Sequence, residues 1–264
     1  MLAITGSTGA VGGRVARALA DLSPRLLVRD PARAPAGFAD VAACSYDAPA
    51  GLDGVSLLFM VSGAEAVDRR EQHRTFIGAA ADAGVGHIVY TSFAGAAPDA
   101  TFTLGRDHWD AEQAIRESGM TYTFLRDNFY SDLLPYFADA QGVMRGPAGD
   151  GRVAAVARAD VADVAAAVLR APADHADATY VLTGPEALTL TEVAQRTGRT
   201  FEDETVEEAY ASRRAAYPDA EDWQLDAWVS TYTAIRDGSC AEVTGDVERV
   251  SGHPARTLEQ ALTP

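Results

Sequence analysis

Three glycines spaced Gly6-x-x-Gly9-x-x-Gly12 interrupt the stretch Ala3-Ile4-Thr5-Gly6-Ser7-Thr8-Gly9-Ala10-Val11-Gly12-Gly13. The spacing suits a dinucleotide pyrophosphate. One glycine makes a tight turn, one lets the backbone approach the phosphates, and one lets the following helix pack close to the strand. The phosphates would rest on unpaired N–H groups at the helix N-terminus, where the macrodipole favours anions. A second chemical fact is an absence: all 22 basic residues are arginines, and the chain has no lysine. Arginine stays protonated, which excludes Schiff-base catalysis by an internal lysine, a P-loop lysine and a Tyr-x-x-x-Lys pair.

The elements that must position the glycines are legible around them. Met1 to Thr5 reads as a buried strand, and Val11, Val15, Ala18 and Leu19 fall on one helical face. After a Ser23-Pro24 breaker, Arg25 to Arg29 reads as a second strand, closing a βαβ unit within about 30 residues. Further strands are expected at Ser56 to Val61, His87 to Ser92 and Thr121 to Arg126. Helices are expected around Phe76, Ile77, Ala80 and Ala83, stopping at Gly84, and over Arg106 to Ser118. The alternation predicts a Rossmann-type α/β fold, a doubly wound parallel sheet. Ligands bind such sheets outside the carboxyl ends of the strands, so Gly6, Arg29, Ser62, Ser92 and Asn128 should share one rim. Residues 127–151, with four glycines in its second half, read as an irregular crossover near the site. Val153 to Val156 reads as a strand, Val161, Val164, Val168 and Leu169 as one face of a helix, and Thr179 to Leu182 as the last core strand. The expected division is a dinucleotide-binding domain over 1–183 and a small, mainly helical substrate lobe over 184–264. In that lobe Leu225, Trp228, Val229, Tyr232 and Ile235 make an apolar stripe that either packs on the sheet or covers a substrate.

Composition narrows the class. A chain of 264 residues with 47% hydrophobic content can bury a full core. Cys44 and Cys240 have no metal or redox spacing, and no apolar run is long enough to cross a bilayer, so no metal, no membrane and a reducing cytoplasm are expected. A net charge of −16 would repel nucleic acid and anionic lipid.

A run of short motifs carries a family resemblance: Ile4-Thr5-Gly6-Ser7-Thr8-Gly9, Val28-Arg29-Asp30-Pro31-Ala32, Gln72-His73-Arg74, Ala83-Gly84-Val85, Tyr90-Thr91-Ser92, Tyr122-Thr123-Phe124-Leu125-Arg126, Gly149-Asp150-Gly151, Arg158-Ala159-Asp160 and Gly252-His253-Pro254 followed by Thr257-Leu258. In this order, over nearly the whole length, they resemble the NmrA-like branch of the atypical short-chain dehydrogenases, and within it the flavin-free NAD(P)H:quinone oxidoreductases of type 2. Thr200 to Gly245 matches nothing in that pattern, and substrate choice would lie largely there.

The resemblance implies a cofactor site at Gly6, Ser7, Thr8, Gly9, Ala10, Val11 and Gly12. Arg29, with Arg33 beyond it, would pair with a 2′-phosphate and favour NADPH, whereas Asp30 turned to the ribose would admit NADH. Asp47 would reach the adenine or cap its own turn. Near the nicotinamide the resemblance offers Ser62 and Gly63, Tyr90, Thr91, Ser92 and Phe93, and Asn128, Phe129 and Tyr130. His108 would be the proton donor on grounds of its pKa class, with Tyr90 and Asn128 as the other catalytic candidates. His73 reads as packing, and Phe93, Phe129, Tyr130 and Tyr136 could wall a flat substrate. The implied activity is hydride transfer from NADPH to a quinone or related aromatic carbonyl. The alternatives are a dinucleotide-binding redox sensor without turnover and a tailoring ketoreductase of secondary metabolism.

Overall fold

Both faces of the first strand are covered, and that decides the architecture. In the computed structural model, which describes residues 1–263, β1 (Leu2–Thr5) is buried along its whole length. It is followed by α1 (Ala10–Ala18), β2 (Arg25–Val28), β3 (Val41–Ala43), β4 (Leu57–Met60), α2 (Arg69–Asp82), β5 (His87–Phe93), α3 (Thr103–Glu117) and β6 (Thr121–Asp127). Next come β7 (Val143–Gly146), β8 (Arg152–Val153), α4 (Arg158–Arg170) and β9 (Ala178–Leu182). The chain continues through β10 (Leu188–Thr189), α5 (Leu190–Arg196), β11 (Thr200–Asp203), α6 (Val206–Ala216), α7 (Asp222–Arg236), α8 (Asp246–Ser251) and α9 (Leu258–Ala261).

Seven strands pair in the order β3-β2-β1-β4-β5-β6-β9, all parallel. This is the Rossmann-type sheet, with the order reversing between β1 and β4, the switch point at whose carboxyl rim sheets of this kind bind their ligands. Alternation along each strand sorts the core into two layers. Ile4, Leu26, Phe59, Val89 and Leu125 meet Val11 and Val15 of α1, Val161, Val164 and Val168 of α4, and Val247 of α8. Ala3, Leu58, Met60, Tyr90 and Phe124 meet Phe76, Ile77 and Ala80 of α2 with Ala111 and Ile115 of α3.

The later half differs from the sequence expectation in three places. Of Val153 to Val156 only Val153 is in a strand, β8, which pairs antiparallel with β10 outside the main sheet. β7, inside the expected crossover, pairs in parallel with β11. The boundary expected at 183 is therefore crossed by two strand pairs, and α8 returns to α4 and β9, where Val181 N–H donates to Asp246 Oδ2 at 2.8 Å. A third hydrophobic cluster fastens the appended elements, joining Met144 and Val153 to Leu190, Val193, Tyr232 and Ile235. Two of the crossover glycines are the seat of α7: a Cβ on Gly146 would lie 2.2 Å from the Tyr232 ring, and one on Gly151 would lie 2.3 Å from the Ile235 carbonyl. Among the described residues no helix is long and apolar enough to cross a membrane.

Candidate functional site

The turn from β1 to α1 is shaped for an anion. Gly6 takes φ +63° and has no room for a Cβ, which would lie 2.8 Å from the Val61 side chain. At Gly12 a Cβ would stand 2.4 Å from the Gly6 carbonyl oxygen, so this glycine sets how closely α1 packs on the turn. Gly9 caps α1 with no side-chain hydrogen bond, and no acidic residue stands in the first turn. The leading N–H groups are thus left for an outside acceptor. Thr8 and Gly9 are exposed at the tip, Ala10 is half-buried, and Val11 packs into the core. Ser7 is buried and its Oγ has no partner among the described residues. An orphaned hydroxyl beside unpaired amides is what a phosphate group would satisfy, so the residues present fit a dinucleotide.

At the end of β2 the two candidates for the ribose separate. Asp30 Oδ1 accepts from the N–H of Ala32 at 3.0 Å and caps the Pro31–Arg33 turn. Arg29 and Arg33 are exposed, and neither has a carboxylate partner among the described residues. Asp47, beyond β3, is exposed, and hydrogen bonds from Ser45 and from its own turn hold its carboxyl below the usual range. Of its two sequence readings, capping is the one with contacts. Tyr46 beside it turns inward, with its hydroxyl against Thr5 Oγ1 at 2.8 Å and the Val61 carbonyl.

The three side chains expected to do catalysis are drawn inward. Tyr90 and His108 are buried, and the Tyr90 hydroxyl meets His108 Nδ1 at 3.1 Å. His108 Nε2 lies 3.1 Å from the buried guanidinium of Arg69. Burial, then the Arg69 charge, hold the His108 imidazole well below its ordinary pKa, and burial pushes the Tyr90 hydroxyl up. The expectation of a proton donor at His108 thus meets a neutral ring with both nitrogens engaged. Asn128 is likewise occupied: Nδ2 donates to the Cys240 carbonyl at 2.9 Å, and Oδ1 accepts from the Phe129 N–H at 2.8 Å. Ser92 Oγ donates to the buried Glu112 at 2.6 Å, whose carboxylate is gripped by Arg126 at 2.6 and 2.8 Å.

The loop after β4 is held from behind. Ser62 N–H donates to Thr91 Oγ1 at 2.8 Å, Gly63 N–H to His73 Nε2 at 2.8 Å, and Arg69 Nε to the Gly63 carbonyl at 3.0 Å. His73, read from sequence as packing, is buried, and burial followed by the Arg69 charge lowers its pKa to about 3. With Nε2 accepting, the ring proton sits on Nδ1, which has no partner; an orphaned buried donor costs about 1–3 kcal/mol.

What faces the rim at β5 and β6 is aromatic. Phe93, Phe102 and Phe129 form a triangle with ring centroids 4.8, 5.0 and 5.1 Å apart. Phe102 and Phe129 are only partly buried. Tyr136 stands 77% exposed on another turn and does not join them. Tyr130 donates its hydroxyl to Asp127 Oδ2, and burial pushes the Asp127 carboxyl up to about 7. Above the loop after β4, the Trp228 indole N–H of α7 reaches Glu65 Oε2 at 3.4 Å, and Tyr217 packs edge-on to that indole at 5.1 Å. Sequence reading missed Arg69, Phe102 and Asp127. Phe102 carried a signal, being an aromatic directly before a helix that begins at the rim; the other two gain meaning only from tertiary partners.

The family model described as NAD(P)H-binding matches residues 6–172. The chain belongs to this NAD(P)H-binding family. Quinone oxidoreductase 2 of Escherichia coli strain K12 is 32% identical, the alignment covering 100% of this chain and 98% of that protein. The (4-alkanoyl-5-oxo-2,5-dihydrofuran-3-yl)methyl phosphate reductase of Streptomyces griseus is 36% identical over 97% of this chain and 94% of its own length. Among solved structures, the E. coli NADPH-dependent quinone oxidoreductase complexed with NADPH superposes with a TM-score of 0.87 at 31% identity, covering 99% of this chain and 98% of that one. The chain is an NAD(P)H-dependent oxidoreductase of this NAD(P)H-binding family.

Proposed function

We propose that the chain is an NADPH-dependent reductase of quinones and related flat conjugated carbonyl compounds. One observation carries the reading: the partly exposed rings of Phe102 and Phe129 pack on the buried Phe93 at the carboxyl end of β5, while Tyr90, His108 and Asn128 spend their polar atoms inside the protein. When bound, NADPH supplies two electrons and a proton as a hydride equivalent. A quinone that accepts them becomes an aromatic hydroquinone anion, weakly basic enough for water to protonate. A simple ketone yields a strongly basic alkoxide that needs a positioned acid, and the candidates Tyr90, His108 and Asn128 have their polar atoms engaged inside the protein. The protein's part is then geometric. Phe102 and Phe129, backed by the buried Phe93, stack a flat ring and exclude water, and the Ser62–Gly63 loop, held by Thr91, His73 and Arg69, serves as a fixed wall of the site.

Arg29 supports the preference for NADPH, since it is unpaired at the end of β2 while Asp30 is tied to its own turn. The likeness to a reductase that acts on a dihydrofuranone supports a conjugated carbonyl of secondary metabolism as a second substrate class. The test is NADPH oxidation by the purified protein with benzoquinones, naphthoquinones, an unsaturated lactone and an isolated aromatic ketone. Turnover is expected with the quinones and absent with the ketone. If no quinone or conjugated carbonyl is reduced while NADPH still binds, the redox-sensor alternative replaces this reading.

A further inference from the structure

Every polar group of the backbone at Gly63 is held by a side chain of α2, and that arrangement is unusual for a loop. Loops ordinarily satisfy such groups with water or with their own turns. Here the N–H goes to His73 Nε2, the carbonyl takes Arg69 Nε, and the neighbouring Ser62 N–H goes to Thr91 Oγ1 of β5. α2 gives up two inward positions of its first two turns to polar residues for this purpose, although Phe76, Ile77 and Ala80 make the rest of its inner face apolar. The glycine is part of the device: a Cβ on Gly63 would stand 3.1 Å from His73 Nε2 and 3.4 Å from the Tyr46 ring, pushing the imidazole off the N–H it accepts. Arg69 is 4% exposed and is fixed in turn by Asp107 at 3.4 Å and by His108, which leans on Tyr90.

We propose that His73 and Arg69 are positioning residues for the cofactor: by clamping both backbone groups of Gly63, they hold the loop after β4 as a rigid wall of the dinucleotide site. The proposal rests on the dinucleotide reading of the rim but concerns residues that do not themselves reach it. It also gives the buried chain from Tyr90 through His108 to Arg69 a purpose other than proton transfer, that of bracing the clamp. Burial beside Arg69 keeps the His73 ring neutral, so Nε2 remains an acceptor.

The test is titration of the purified protein with NADPH, followed by the fluorescence of the cofactor, together with a thermal melt. His73→Met removes the acceptor and is expected to weaken NADPH binding about tenfold, roughly the net value of one hydrogen bond. His73→Gln places Oε1 near the position of Nε2 and is expected to restore affinity to within about threefold. In steady state the KM for NADPH should rise in His73→Met while the KM for the quinone stays within about twofold. Unchanged NADPH affinity in a folded His73→Met, or a His73→Gln as weak as His73→Met, overturns the proposal. Should His73→Met not fold, Gly63→Ala decides, since its Cβ would stand 3.1 Å from His73 Nε2 and push the ring off the N–H; unchanged affinity overturns the clamp. Wild-type protein that binds no NADPH would overturn the dinucleotide reading itself, a different result of the same titration.

Discussion

Arg29 and Asp30 stand side by side and meet opposite fates, because a carboxylate one residue before Pro31 can cap a turn and a guanidinium cannot. Of these two neighbours, Arg29 is the one left without a partner among the described residues, as the exposed Arg33 is beyond the turn, and the proposed contact with a 2′-phosphate falls to it. Arg29→Ala should therefore weaken NADPH binding by about 1.5–3 kcal/mol, the worth of a charge-assisted contact, and leave NADH nearly unchanged. Parallel Kd measurements check this, and equal losses for both cofactors would refute it. Asp127 supports a different residue-level prediction. Its folded pKa of about 7 lies above the ordinary carboxyl value, so the folded state holds its proton more tightly than the unfolded chain. Its stabilisation is complete below about pH 4 and is lost as pH rises towards 7, at up to about 1.4 kcal/mol per pH unit. His73 and His108 act in the opposite sense, since their depressed pKa values favour folding above about pH 6.5 and less below it. Asp127→Asn keeps an acceptor for Tyr130 but cannot ionise. The difference in stability between wild type and this variant should therefore slope across pH 4 to 7, and a flat difference would refute the assignment. Residue types at this rim were legible in the sequence, but orientations were not. The partner of Asn128 is a carbonyl 112 positions away, and Tyr90 and Ser92 face α3 through strand alternation combined with an unforeseen Glu112.

At the scale of elements, the glycines of the first turn are not equivalent, and the spaces around them say how. Gly12→Ala places a Cβ 2.4 Å from a backbone oxygen that cannot yield, so α1 must lift from β1, costing about 3 kcal/mol or more. Gly9→Ala meets that same oxygen only at 3.3 Å and sits at an exposed cap, so it should fold with a loss below about 1 kcal/mol yet bind NADPH weakly. Thermal melts and cofactor titration of the two variants separate the roles. A Gly12→Ala protein as stable as wild type would show that the close packing is not needed. The main strands were legible because a parallel sheet covered on both faces leaves continuous apolar runs such as Ser56 to Val61. The start of α3 was not, since Phe102 caps it without a side-chain hydrogen bond and the helix begins three residues before Arg106, at Thr103. β7, β8, β10 and β11 have only two to four residues each, too few for any periodicity to show.

On the scale of the whole molecule, the chain is less divided than its sequence suggests. α4 carries Asp160 and Asp163, and Arg256 reaches both carboxylates while His253 Nε2 meets Asp163 at 3.1 Å. The Gly252-His253-Pro254 motif thus fastens residues far along the chain to the dinucleotide-binding layer. Asp160 is fully buried, so Arg256→Ala removes the counter-charge from a carboxylate in the core and leaves it only the backbone N–H of residue 256, at a cost of about 3 kcal/mol. A melting temperature unchanged in that variant would refute the clasp. Sequence could not supply this, because the ion pair joins positions 96 apart and the motif reads only as a resemblance until its partners are seen.

The contact of Trp228 with Glu65 ties α7 to the loop that α2 grips from the other side. Two ligands that lean on one shared loop are thermodynamically linked, and linkage is reciprocal. On the proposed quinone activity, whatever factor the hydroquinone product imposes on NADPH affinity, NADPH must impose on the hydroquinone. Trp228→Phe keeps the ring but removes the N–H that reaches Glu65. In that variant both factors should move together towards one, while each ligand alone binds nearly as before. Two calorimetric titrations, each run with and without the other ligand, measure the coupling, and coupling that survives the substitution would place the communication elsewhere in the fold.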